Sequence, residues 1–131
     1  ATKILKMDED ASGNFALNEE KTILISSDTN NQIYFWNLTD GILMHKFDGL
    51  SRNNEECEDV FAGDDNLAYI CTNKAVYCYD YEKKEVIWQI QAEEYAYWYN
   101  YEIAPSREAL AFTHQEYLTL IDLKEGIIKK A

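Results

Sequence analysis

The chain has 131 residues, 47% hydrophobic and 27% charged, which fits one globular domain and excludes a chain that is disordered throughout. Twelve Lys and Arg against 24 Asp and Glu leave a net charge of −12, which argues against nucleic-acid binding and against docking on an anionic membrane. No apolar run approaches the ~20 residues of a membrane-spanning helix.

Ten Tyr, five Phe and three Trp, beside five Gly and one Pro, lean the composition toward β-strands. The odd set of Cys57, Cys71 and Cys78, with no C-x-x-C spacing, reads as reduced packing thiols. A cytoplasmic protein without a cofactor is expected.

In chain order, residues 2–7 read as an outer strand, and three similar units follow. Apolar runs rich in β-formers occupy 23–27, 67–71 and 109–113. Each is followed by a polar connection and a second run, at 33–38, 76–81 and 118–123. Asp40-Gly41, Lys83-Lys84 and Glu125-Gly126 then mark turns before closing runs at 42–47, 86–90 and 127–131. Anchored on Trp36-Asn37, Tyr79-Asp80 and Ile121-Asp122, the units are 43 and 42 residues apart. A period near 40 with four strands per unit is the signature of propeller blades. The expected fold is therefore all-β. It consists of antiparallel four-stranded blades in one domain over 1–131, with repeats at about 13–49, 58–92 and 99–131.

The stretch 16–25, followed by 33–43 with Trp36-Asn37 where Trp-Asp is usual, resembles a WD-type β-propeller repeat. The resemblance covers all three units, and the second (75–88) is similar to quinoprotein-like blades as well. No Gly-His pair precedes any unit, and His45 and His114 fall elsewhere, so the family's buried His–Asp network does not carry over. Propellers typically have 4–8 blades, so three imply a piece of a larger ring, a self-associating half-ring, or a compact β fold that imitates blades in sequence alone.

Three segments are candidates for function. Asp8, Asp10, Ser12 and Glu19, with Gly13, match an EF-hand loop at positions 1, 3, 5, 12 and 6. The strand pattern after Lys21 offers no second helix, so the segment is expected to be a solvated acidic turn, with no metal. The segment 95–101 holds Tyr95, Tyr97, Trp98, Tyr99 and Tyr101, residue types enriched at interface hot spots, although a one-sided row of packing Tyr rings has the same spacing. The acidic connection 48–59 contributes Glu55, Glu56, Glu58 and Asp59 and would steer a basic partner. Catalysis has no visible support: no nucleophile elbow, phosphate loop or metalloprotease motif is present. The resemblance implies a non-catalytic scaffold that binds a protein or peptide. The acidic charge suits an alternative, an inhibitor or immunity-type protein that masks a basic toxin or nuclease.

Overall fold

A computed structural model describes residues 4–50, 53–93 and 96–129. Its strands are β1 (Ala11–Leu17), β2 (Ile23–Asp28), β3 (Ile33–Asn37) and β4 (Ile42–Phe47) in the first sheet. The middle sheet holds β5 (Cys57–Ala62), β6 (Leu67–Thr72), β7 (Ala75–Asp80) and β8 (Glu85–Gln91). The last holds β9 (Tyr99–Ile103), β10 (Ala109–His114), β11 (Tyr117–Asp122) and β12 (Ile127–Lys129). Each is a four-stranded antiparallel meander in sequence order, so the protein is all-β over the described residues. No helix among them is long and apolar enough to cross a membrane.

The turn between the third and fourth strand of each sheet explains the repeat anchors. Oδ1 of Asn37 accepts from the amides of Thr39 and Asp40, that of Asp80 from Glu82 and Lys83, and that of Asp122 from Lys124 and Glu125. Four residues after each anchor the chain enters the left-handed region, at Gly41 (φ 68°), Lys84 (φ 61°) and Gly126 (φ 69°). The amide at that position returns to the anchor's carbonyl at 2.7, 2.7 and 2.8 Å respectively. Asn and Asp hold such turns because the short side chain replaces a backbone acceptor.

The middle sheet is buried on both faces. Ala68, Ile70, Tyr77 and Tyr79 pack against Ile25, Ile33 and Phe35 of the first sheet. Tyr69, Cys71, Val76 and Cys78 pack against Leu110, Phe112 and Ile121 of the last. That two-sided burial is why residues 67–71 form a continuous apolar run and not an alternating one. His45 lies in the first junction. Its ring stacks on Tyr79 (5.7 Å between centroids), its Nε2 is hydrogen-bonded to the Tyr79 hydroxyl, and burial lowers its pKa.

Residues 4–7 do not form the expected outer strand, and residues 2 and 3 lie outside the described chain. Among the described residues no neighbouring strand takes their backbone hydrogen bonds, and they pass over the first sheet as a strap. The strap is held by Ser26 Oγ donating to Met7 Sδ at 3.4 Å and by the Asp8 amide donating to the Tyr34 hydroxyl at 3.0 Å.

Candidate interaction site

Residues 92, 93 and 96–98 belong to the connection from β8 of the middle sheet to β9 of the last. Two amides fix the crossing to the β6–β7 turn: Ala92 donates to Lys74 O (2.7 Å) and Trp98 to Asn73 O (3.0 Å). So held, the Trp98 side chain enters the junction between the two sheets. It is buried and stacks on Phe112 with centroids 4.2 Å apart. Tyr101 tilts against the same Phe112 ring and its hydroxyl donates to Thr72 O at 2.6 Å, while burial pushes its pKa up.

The Tyr residues do not line one side. Asn100 is left-handed (φ 54°) and the β9–β10 register slips between Ala111 and Thr113. That bulge turns Tyr101 inward while Tyr97 and Tyr99 stay exposed, since one irregular residue reverses strand parity. Tyr95 and Glu94 lie outside the described residues. His114 Nδ1 donates to Tyr97 O at 3.1 Å, tying the crossing to the end of β10.

A groove of about 400 Å³ opens at this point between the middle and last sheets. Trp98, Phe112 and Ile128 supply apolar lining, and Glu93, His114 and Tyr117 supply polar atoms. A second groove, about 580 Å³, lies in the corresponding place between the first and middle sheets, lined by Phe47, Leu50, Asn53, Tyr77, Val86 and Gln89.

The acidic connection divides in two. Glu55 is buried: Oε1 accepts from Thr72 Oγ1 at 2.8 Å, and Oε2 accepts from the Tyr77 hydroxyl. Burial and this carboxylate together raise the Tyr77 pKa. Glu55 therefore anchors the connection to the middle sheet and presents nothing to a partner. Glu56 is exposed, with its amide donating to Asn73 Oδ1 (3.0 Å) and its carbonyl accepting from the Asn73 amide (3.1 Å). Glu58 and Asp59 are half-buried in β5, and both carboxyl pKa values are raised. Burial is the main cause, with like charge from Glu56 added for Glu58 and from Glu102 for Asp59.

Asn73 thus joins the two segments. Its carbonyl holds Trp98, and its side chain and amide hold Glu56, so acidic loop and aromatic crossing meet at one end of the middle sheet. Residue patterns did not single out Asn73, since its partners lie 17 and 25 positions away. The corresponding β2–β3 turn of the first sheet holds Asn31, whose Oδ1 takes the amide of Cys57 at 2.9 Å.

Neither the protein-family models nor the curated proteins contain a match to this chain.

The residues of the calcium-loop pattern are dispersed. Residues 11–17 are a strand and not a helix–loop–helix connection. Asp8 forms an ion pair with Lys46 Nζ at 2.8 Å, and that hydrogen bond holds its carboxyl below the usual range. Ser12 Oγ is hydrogen-bonded to Ser27, and Glu19 stands in the β1–β2 turn. Among the described residues no group of three or more His, Cys, Asp and Glu could hold a metal ion. The three thiols are free, and burial raises Cys57 to about 12 and Cys78 to about 11, which leaves them poor nucleophiles at neutral pH.

Proposed function

We propose that the chain is a non-catalytic protein-interaction scaffold whose three sheets are blades of a WD-like β-propeller. Its partner segment would lie in the groove beside Trp98. The observation that carries this reading is the double hold of Asn73, which fixes an aromatic anchor and an exposed carboxylate at one rigid turn. The apolar lining, with Glu93 and Glu56 nearby, suits an extended peptide that carries an apolar residue flanked by Lys or Arg. The rigid anchor loses little conformational freedom on binding, and the acidic surroundings speed the encounter.

The test is fluorescence anisotropy with a labelled peptide of alternating Lys and Leu, against the wild type and the surface variants Tyr117→Ser and Glu93→Lys. Each substitution is expected to weaken binding by about tenfold, corresponding to about 1.4 kcal/mol, with the unfolding midpoint unchanged. Binding that neither variant alters would refute the groove as the site.

Like-charge proximity at Glu58 and Asp59 favours a second reading, an acidic inhibitor that masks a basic toxin or nuclease. On that reading Glu58→Gln with Asp59→Asn would slow association with a cationic protein, while Tyr117→Ser would leave it unchanged.

A further inference from the structure

The two internal junctions are built from the same register positions. On the side facing the following sheet, the first sheet offers the cross-strand pairs Ile25/Phe35 and Ser27/Ile33, and the middle sheet offers Tyr69/Cys78 and Cys71/Val76. The corresponding pairs of the last sheet are Ala111/Leu120 and Thr113/Leu118. No sheet among the described residues covers them, and Leu118 is 70% and Leu120 43% exposed.

The opposite side follows the same rule. Val60/Ile70 and Ala62/Ala68 of the middle sheet are buried against the first sheet. Their equivalents in the first sheet are Phe15/Ser26 and Leu17/Leu24, where Phe15 is 69% and Leu17 40% exposed. Under the strap the centre of this face, Ser26, Tyr34 and Trp36, is buried, so its open part is the β1 side with Phe15 and Leu17. Met7, which lies 43 residues before the fully buried Leu50, occupies the equivalent place and leaves a cleft of about 200 Å³ beside Phe15, Leu24 and Trp36.

We infer that these two open faces are partners for one another, so that a second copy of this chain sets its first sheet on the last sheet of its mate. The occupant follows from continuity with the internal junctions. The last sheet presents the face that twice receives a following sheet, and the first presents the face that twice receives a preceding one. No other surface described here carries either set of positions. Glu102 on β9 and Lys129 on β12 stand at the margins of the last sheet's face as a polar rim. Two such contacts, related by a twofold axis, close two copies into one assembly of six sheets, within the range of known propellers. Closure rests on the propeller reading of the sheets, whereas the contact itself rests on the registers. Leu118 also borders the groove at Trp98 whereas Phe15 lies far from it in the first sheet, so Phe15→Glu tests the contact separately from the groove.

Sedimentation velocity over a concentration series tests this on the 131-residue chain, with Leu118→Glu and Phe15→Glu as variants. The wild type is expected at twice the 15.3 kDa of one chain. Each variant is expected at the single-chain mass with circular dichroism unchanged, because both side chains lie on the surface of one chain, and with a thermal midpoint that does not rise with protein concentration as the wild type's does. An equimolar mixture of the two variants restores a two-chain species, since Phe15→Glu keeps the last sheet's face and Leu118→Glu keeps the first sheet's. That species has one contact and so binds at least about tenfold more weakly than the wild type. A wild type that stays single at all concentrations overturns the proposal. So does a Phe15→Glu variant that still pairs, which would mean that the last sheets meet face to face. A mass that grows beyond two chains overturns the closed assembly.

Discussion

Glu55 sits between two hydroxyl donors, Thr72 and Tyr77, and its backbone amide returns to Leu50 O at 3.1 Å. A carboxylate inside an apolar junction is tolerated only when its oxygens accept hydrogen bonds, and removing it leaves two donors unmatched. Glu55→Ala is therefore expected to cost about 2–3 kcal/mol and Glu55→Gln about 1 kcal/mol, read as shifts of the urea midpoint by tryptophan fluorescence. An unchanged midpoint for Glu55→Ala would show that the carboxylate is not structural. The composition of residues 48–59 made all their acids look alike. What separates Glu55 from its exposed neighbour Glu56 is a pair of donors 17 and 22 residues further along, which only the stacking of strands supplies. Asn100 was hidden for a related reason. Its left-handed backbone decides which Tyr side chains turn inward, and no residue type announces a bulge.

At the scale of elements the strands were readable because the turns declare themselves. Asp40-Gly41 and Glu125-Gly126 place glycine where the backbone is left-handed, and the preceding Asn or Asp caps the turn. The middle unit has Lys84 at that position, so it carries a side chain in a conformation that costs about 1–2 kcal/mol for an L-residue. Lys84→Gly is expected to stabilise the protein by about 0.5–1 kcal/mol, the relief of strain exceeding the added entropy of the unfolded chain. The reverse change in the last unit has two penalties. Gly126→Ala meets the same backbone strain, and its Cβ would come within 2.6 Å of the Trp88 ring across the junction. A loss of about 2–3 kcal/mol is expected. Paired urea titrations measure both, and a result of equal sign for the two variants would contradict the shared turn geometry. The strap was misjudged from its β-formers alone, because a strand exists only where a neighbour accepts its hydrogen bonds.

For the whole molecule, charge opposes what the junctions hold together. The cores between the sheets are apolar and aromatic, so the net −12 is borne almost entirely by the surface, Glu55 and Asp28 being buried acids. The ion pairs Lys46–Asp8 and Lys124–Glu108 lie at the surface, and their cations are already counted in the net charge, so the excess of −12 stands. Like charges raise the carboxyl pKa values of Glu58 and Asp59 beyond what burial does, a local sign of that repulsion. Folding brings these charges closer than they are in the unfolded chain, so screening them should favour the folded state. Raising KCl from ~0.02 M to ~0.5 M shortens the screening length from about 20 Å to about 4 Å. An increase of about 3–5 °C in the thermal midpoint is expected, equivalent to about 1 kcal/mol for a domain of this size. Glu56→Lys, placed beside Glu58, should raise the midpoint at low salt and flatten its salt dependence. A midpoint that falls with KCl would mean that attractive pairs, not repulsion, dominate the surface.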